Sequence, residues 1–224
     1  IPFAIDGVTV TKIGIGAFKN KSNITEATIP EGIIEIGNEA FWQTSLNEIV
    51  IPDSVVTIGD SSFINIYATS LKIGSGTTTI GPLAFRGNSF ASLVIPDSVI
   101  SIGSEAFKSF QGAPPYAGNS FTSLIIPENV TTVGHGAFEG NALINVSISK
   151  NLHMLARDLF KNNNIQTIVI PDSVTVIQSG VLYGNPLTNL VIPDSVISID
   201  DGAFEGNALI NVSISKNLNR LVRD

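Results

Sequence analysis

Residues 93–107 read LVIPDSVISIGSEAF, and this stretch decides the fold because its pattern returns along the whole chain. Alternating apolar residues lead into a proline, and a Val, an Ile-Gly pair and an Ala-Phe pair follow it at fixed distances. The equivalent prolines are residues 30, 52, 96, 127, 171 and 193, and Gly74, Ser149 and Ser215 hold this proline place in three further copies. The spacing from 30 to 52 and from 171 to 193 is 22 residues. Such self-similarity predicts a solenoid of stacked coils.

One position of each coil carries an aromatic residue. Taking Gly7 as the first proline place, this position holds Phe18, Phe41, Phe63, Phe85, Phe107, Phe138, Phe160, Leu182 and Phe204. The residue five places earlier is aliphatic in every coil, from Ile13 to Ile199. Because stacked coils must match their neighbours, residue types held in phase are expected to point inward. We therefore predict internal columns, with one phenylalanine per coil.

Short strands are predicted before the proline place. The spacing L-x-x-L-x-I places alternate side chains on opposite faces of a strand. Proline cannot donate a ladder hydrogen bond, so it is expected to end the strand. Neighbouring coils are then predicted to form one parallel sheet of nine strands, at about 4.8 Å per coil. The V-x-x-I-G segment is expected to cross the far side, followed by a tight helical or 3₁₀ turn.

Two further columns have structural interpretations. Asparagine recurs eight residues before the proline place, at Asn88, Asn119, Asn141, Asn163, Asn185 and Asn207. Its amide is predicted to satisfy loop backbone in its own and in the adjacent coil. Glycine recurs seven residues after the proline place, from Gly14 to Gly134, but is replaced by Ala156, Gln178 and Asp200. Close packing therefore explains these glycines better than a left-handed backbone.

Composition excludes several classes of function. A net charge of −7 and 12 scattered Lys and Arg residues disfavour nucleic acid, which requires a clustered basic surface. The chain has no cysteine for disulfides or thiol chemistry, and no apolar run reaches the roughly 18 residues of a membrane span. We expect a single solenoid domain, residues 1–224, of about nine to ten coils. The chain starts without Met and stops inside a coil, so we expect a fragment whose targeting or anchoring segments lie outside it.

The sequence contains no pattern for a catalytic, cofactor or metal site. Metalloprotease, hydrolase, phosphate-binding and dinucleotide motifs are absent, and His135 and His153 occupy different phases of their coils. An acidic row follows the proline place: Glu31, Asp53, Asp97, Glu128, Asp172 and Asp194. Such carboxylates could hold Ca²⁺, but no calcium motif occurs, and solvated turn acids are the favoured interpretation.

The consensus L-x-x-L-x-I-P-x-x-V-x-x-I-G-x-x-A-F resembles the BspA-like class of leucine-rich repeats over nearly the whole chain. The resemblance implies a curved solenoid with parallel strands on the concave side and short strands or 3₁₀ turns on the convex side. It also implies adhesion to, or recognition of, host and matrix proteins at a bacterial surface. The coil at residues 71–81 departs from the consensus because it lacks the proline and the valine.

A recent duplication is visible near the end of the chain. Residues 136–152 and 202–218 are identical over 17 positions and lie 66 residues, or three coils, apart. Such copies indicate growth by duplication of whole units, which changes length and avidity more readily than it creates a catalytic site.

The first candidate binding site is the coil that breaks the period. Pro96 and Pro127 are 31 residues apart, and the excess lies in residues 108–119, KSFQGAPPYAGN. This insertion carries Phe110, Pro114, Pro115 and Tyr116, and per-repeat insertions map to loops that often bind partners. The alternative is a tolerated surface insertion whose aromatic side chains fold back over neighbouring coils.

The second candidate is the outward row of the predicted strands, two residues before the proline place. Its partner-binding candidates are Val50, Lys72, Val94, Ile125, Val169 and Val191. Exposed apolar residues with little charge often mark interaction sites. The equally weighted alternative is simple β-propensity.

We therefore predict a non-enzymatic binding solenoid, extracellular or on a bacterial cell surface, whose partner is a host protein, a matrix protein or another protein. One alternative is a carbohydrate-active enzyme on a parallel β-helix. The other is a structural spacer that holds a distal domain away from the cell wall.

Overall fold

The computed structural model describes residues 1–2, 4–110 and 118–221, and for residues 220 and 221 it describes the backbone alone. In chain order the strands are β1 (Ala4–Ile5), β2 (Val8–Thr9), β3 (Lys12–Ile13), β4 (Glu35–Ile36), β5 (Glu48–Val50), β6 (Thr57–Ile58), β7 (Ser70–Lys72), β8 (Thr79–Ile80), β9 (Ser101–Ile102), β10 (Ser123–Ile125), β11 (Thr132–Val133), β12 (Asn145–Ser147), β13 (Met154–Leu155), β14 (Val176–Ile177), β15 (Asn189–Val191), β16 (Ser198–Ile199), β17 (Asn211–Ser213) and β18 (Arg220–Leu221). They form a parallel solenoid of coils of about 22 residues, which confirms the predicted architecture.

The phenylalanine column is confirmed. The rings stack along the solenoid, with centroids 4.9 Å apart between Phe41 and Phe63 and 6.1 Å apart between Phe138 and Phe160. Phe85 and Phe107 continue the same stack and are fully buried. Stacked pairs at these distances add to the hydrophobic contribution, which is about 1.5–3 kcal/mol for each buried ring.

The longest hydrogen-bonded ladder lies after the proline place rather than before it. The strands β3, β4, β6, β8, β9 and β11 form a six-stranded parallel sheet, and β13, β14, β16 and β18 form a four-stranded one. The sheet is interrupted between β11 and β13, where Ala156 is the first residue to replace glycine in its column. The preceding glycine, Gly134, lies so close to Ser104 of the coil before it that a Cβ would meet backbone at 2.4 Å.

The strands before the proline place do not form the single sheet that the pattern predicted. Within residues 4–110 and 118–221, three such pairs form: β5 with β7, β10 with β12 and β15 with β17. Each pair is extended by one further backbone hydrogen bond, such as the one that Ile51 N–H donates to Lys72 O at 2.9 Å.

Proline explains which strands pair. In each pair, the second strand leads into a residue other than proline, namely Gly74, Ser149 or Ser215. Where the second coil has proline, as at Pro96 and Pro171, no strand pairing occurs before it. Proline has no N–H and restricts the residue before it, so it disfavours a ladder with the preceding coil.

The asparagine column forms the predicted contacts between coils. Asn163 is buried, and its amide donates to Phe160 O at 2.9 Å and to Phe138 O of the preceding coil at 3.0 Å. Its carbonyl oxygen accepts the Leu143 N–H at 3.1 Å. Asn88, Asn185 and Asn207 repeat this arrangement.

Glycines seven residues after the proline place pack against the preceding coil, as predicted. A Cβ on Gly81 would lie 2.7 Å from Asp60 Oδ1 and 2.8 Å from Asp60 N, whereas Gly14 of the first coil has no atom within 4 Å. Left-handed residues recur two positions later, where Glu39 has φ 58° and Gly136 has φ 59°, and six positions later, where Asn65 has φ 53° and Gly140 has φ 74°. The segment after the ladder is therefore a series of tight turns rather than a 3₁₀ helix.

The first coil begins differently from the others. Gly7, taken as a proline place, lies in the turn of an antiparallel hairpin formed by β1 and β2. Asp6 and Gly7 both have positive φ. This conformation is typical of the Asp-Gly turns that form two-residue hairpin loops.

Candidate protein-binding surface

The row two residues before the proline place points outward. Val94, Ile125, Val169 and Val191 have exposed fractions of 77, 70, 81 and 64%. The flanking residues of each strand segment are buried, such as Leu93 and Ile95, or partly buried, such as Leu71 and Ile168. Val50 and Lys72 are also exposed, so all six predicted members of this row lie on one surface, which we call the pre-proline face.

Grooves open on this face where strands are unpaired. A groove of about 730 Å³ lies between the coil that contains Val146 to Lys150 and the next coil, which contains Val169 to Ser173. A shallower depression of about 320 Å³ adjoins it and is lined by β10, β12 and residues 167–169. A third groove, of about 590 Å³, lies beside Val50 and Glu48 near the start of the chain.

The insertion leaves and rejoins the solenoid at one point. The hydroxyl of Ser109 accepts the Asn119 N–H at 2.8 Å, which closes the base of the loop. Phe110 is 39% exposed, and its ring lies 4.8 Å from the Arg86 guanidinium carbon. A small cavity of about 180 Å³ separates Phe110 from Tyr67. Pro114, Pro115 and Tyr116 lie outside the described residues.

Ion pairs join the coils beside the insertion. Arg86 contacts Glu105 at 2.6 Å, and Lys108 contacts Glu139 at 2.8 Å. All four side chains are at most 27% exposed, so solvent screens these pairs less than it screens typical surface pairs. This network connects three successive coils, and the sequence patterns did not predict it.

Carboxylates after the proline place bind backbone of the following coil. Asp53 accepts the Ser75 N–H at 2.7 Å, and this bond is the main cause that lowers the pKa of Asp53. Asp194 accepts a hydrogen bond from the Lys216 side chain at 2.9 Å, which likewise lowers the pKa of Asp194 and raises that of Lys216. Among the described residues, no group of three His, Asp or Glu side chains is arranged to hold a metal ion.

Lys150 and Lys216 occupy equivalent places in the two identical 17-residue copies but have different partners. The Lys216 ammonium contacts Asp194, whereas Lys150 uses only its backbone N–H, which donates to Glu128 at 2.8 Å. The described part of the chain contains no ion pair with the Lys150 ammonium. Sequence analysis missed this difference. The signal was in the preceding coil, which has Asp194 before Lys216 but Glu128 before Lys150.

Comparison with known families finds a match to the model described as "BspA type Leucine rich repeat region (6 copies)", at residues 5–114 and 112–224. No curated protein sequence matches the chain significantly. In the part of the chain that the structure describes, no helix has the length and apolar character needed to cross a membrane.

Solved bacterial structures share the fold. A leucine-rich repeat protein from Bacteroides ovatus is 24% identical, with a TM-score of 0.72 over 97% of this chain and 51% of its own. The pneumococcal vaccine antigen PcpA is 22% identical, with a TM-score of 0.60 over 94% of this chain and 61% of its own. This chain therefore spans about half to three fifths of these proteins.

Proposed function

Because this chain belongs to the BspA-type leucine-rich repeat family, we propose that it is a non-enzymatic binding module of a bacterial cell-surface or secreted protein. Its partner is a protein, of the class found in the extracellular matrix or on host cell surfaces. The match to a protein described as a pneumococcal vaccine antigen supports an extracellular or surface location.

The observation that carries this proposal is the apolar exposure of the pre-proline face. Val94, Ile125, Val169 and Val191 are large aliphatic residues that are each more than 60% exposed on a single surface. Val94 and Ile125 are neighbours in this row, as are Val169 and Val191, and Ser147 lies between the two pairs. Exposed apolar residues grouped in this way, with a polar border, mark interaction sites. The polar border is supplied by residues such as Ser123 and Asn189, which are exposed beside this row.

The test compares two triple variants. Val94→Lys, Ile125→Lys and Val169→Lys together place charge on the pre-proline face. Binding to a panel of purified extracellular-matrix proteins is expected to fall at least tenfold in a solid-phase assay, because desolvating lysines opposes apolar contact.

The matched control places three lysines at Ile34, Val56 and Ile100, which are 44, 43 and 49% exposed after the proline place. We expect this control to bind as wild type does, with an unchanged circular dichroism spectrum. Equal binding by both triple variants and wild type would instead favour the spacer hypothesis.

The insertion is a second candidate surface, formed by Phe110, Pro114, Pro115 and Tyr116. It rests on the exposure of Phe110 and on the hydrogen bond from Asn119 N–H to Ser109 Oγ, which closes the base of the loop. Deletion of residues 111–116 is expected to keep the fold and to reduce binding. Lower thermal stability with unchanged binding would assign these aromatic residues to packing over neighbouring coils.

The enzymatic alternative required a different repeat type, the parallel β-helix of carbohydrate-active enzymes. The family match and the in-phase Phe column favour the leucine-rich type. Incubation with anionic and neutral polysaccharides is expected to release no reducing sugar, and release above background would support the enzyme.

A further inference from the structure

The seam between the coil of β12 and the next coil combines an unpaired strand edge, an apolar groove and a lysine without an ion pair. Residues 167–169 are extended but pair with neither neighbour, because Pro171 and Pro193 both disfavour strand pairing. The edge of β12 that faces them therefore has no ladder bond either. Backbone N–H and C=O groups along this seam have no partner in the described part of the solenoid. A ligand that supplies backbone polar groups would satisfy them.

The seam is also a groove with apolar walls. Val146, Ile148, Val169 and Ile170 line the cavity of about 730 Å³ that lies over it. Val169 is the most exposed large aliphatic residue of the described chain, at 81%. No aromatic side chain lines this groove, so it lacks the stacking platform expected for a sugar.

One end of the groove carries charges that the protein leaves unused. Lys150 and Asp172 both line this end, and neither forms an ion pair among the described residues. Lys216, the duplicate of Lys150, is neutralised by Asp194 at 2.9 Å. The two copies thus differ in the partner of this lysine, because Lys150 has no ion pair among the described residues and lies beside an apolar groove. An acidic group on the ligand would complement Lys150.

We propose that this seam binds an extended segment of a partner protein, with an acidic side chain of that segment at Lys150. The groove follows the chain direction from Asn145 to Lys150, which corresponds to about 15–20 Å of extended chain, or five to six residues. Apolar side chains of the segment contact Val146 and Val169, and its backbone faces the unpaired polar groups. The inference rests on the proposed function, because it names the place and the kind of partner.

The test uses blocked hexapeptides as probes. Acetyl-Val-Thr-Val-Thr-Val-Glu-amide is titrated against the ¹⁵N-labelled chain, and amide chemical shifts are followed. We expect saturable shifts at Val146, Ile148 and Val169, and at least fivefold weaker binding when glutamine replaces the peptide glutamate. Absence of saturable shifts up to 2 mM peptide overturns the proposal, as does equal binding of the glutamate and glutamine peptides.

Two matched variants isolate the contribution of Lys150. Lys150→Gln is expected to weaken the peptide at least fivefold, whereas Lys216→Gln changes its affinity less than twofold. Equal effects of the two variants contradict the seam assignment. A failure of peptide binding at the seam is distinguishable from a failure of the proposed function. The triple-lysine variants of the pre-proline face test matrix binding in a separate assay. Loss of matrix binding in those variants without any peptide binding would reject the seam alone.

Discussion

Single buried amides hold neighbouring coils together. Asn163 satisfies two carbonyl groups and one N–H with one side chain, and two of these three groups belong to the preceding coil. A buried polar group without a partner costs about 1–3 kcal/mol, so each such amide is worth more than an ordinary hydrogen bond.

The first prediction concerns this amide. Asn163→Ala leaves the buried Leu143 N–H unpaired and removes one of the two amide donors to Phe138 O and to Phe160 O. We therefore expect the free energy of unfolding to fall by about 1–3 kcal/mol. The adjacent Asn164 is exposed, and Asn164→Ala is expected to change the free energy of unfolding by less than about 0.5 kcal/mol. Urea denaturation of both variants measures the difference. Similar midpoints for the two would refute the structural role of Asn163.

The second prediction uses the packed glycines. Gly81→Ala places a methyl group within 2.8 Å of the Asp60 backbone, so the free energy of unfolding is expected to fall by about 1–3 kcal/mol. Gly14→Ala has open space around the new Cβ, and alanine reduces the entropy of the unfolded chain. Thermal denaturation should therefore show a lower midpoint for the first variant and no decrease for the second. A decrease of the same size in both would contradict close packing at Gly81.

The third prediction concerns pH. The pKa values of Asp53 and Asp194 are lower in the folded protein, chiefly through hydrogen bonds from Ser75 N–H and the Lys216 side chain. Their contribution to stability is thus complete above the unfolded-state pKa and is lost as pH falls below about 4. Between pH 5 and 2, the urea midpoint of wild type should fall more than that of the double variant Asp53→Asn, Asp194→Asn. Parallel curves would contradict this linkage.

At the scale of the strand, proline determines whether two coils share a ladder before the proline place. Pairing occurs before Gly74, Ser149 and Ser215, and is absent before Pro96 and Pro171. The coils remain stacked in the unpaired regions because buried columns and the ladder after the proline place hold them.

The fourth prediction concerns a backbone hydrogen bond that the coil of Pro171 lacks. Pro171→Ser supplies an N–H and removes the restriction on Ile170, so Ile148 N–H is expected to donate to Val169 O. We expect the exchange protection of the Ile148 amide to rise about fivefold, because one added hydrogen bond contributes about 1 kcal/mol. The Ile126 amide, which already donates to Ser147 O, is the internal control. Unchanged protection of Ile148 would show that proline is not the cause.

At the scale of the whole molecule, the coils are organised in groups of three. Residues other than proline occupy the proline place at Gly7, Gly74, Ser149 and Ser215, which is every third coil. The duplicated segments are also three coils apart. The solenoid thus repeats a unit of two proline coils and one coil without proline.

The fifth prediction removes one such unit. Deletion of residues 153–218 joins Leu152 to Asn219, and the identical copies make the new junction the same as the native one. Stability in repeat proteins is approximately a sum over coils and their interfaces. We therefore expect a cooperatively folded chain with a lower free energy of unfolding and a lower urea m-value. Deletion of residues 153–207 keeps the same coils up to Leu152 but puts residues 208–224 out of phase with them, so these residues are expected to add no stability. A higher free energy of unfolding for this deletion than for the deletion of residues 153–218 would contradict the requirement for phase.

The sequence by itself determined the coil length, the phenylalanine column and the roles of Asn163 and Gly81. These properties follow from one residue type held at one phase, and every coil faces the same packing requirement. The outward row from Val94 to Val191 was also predictable, because side chains alternate along a strand.

Only the tertiary structure decided which strands pair, where the seam groove opens and which lysine is free. Each of these depends on a residue in one coil and its neighbour in the next, such as Asp194 with Lys216 or Glu128 with Lys150. Identical segments therefore differ in chemistry when the adjacent coil differs. The physical reason is that hydrogen bonds and ion pairs require a partner within about 3–4 Å, and in a solenoid that partner lies about 22 residues away.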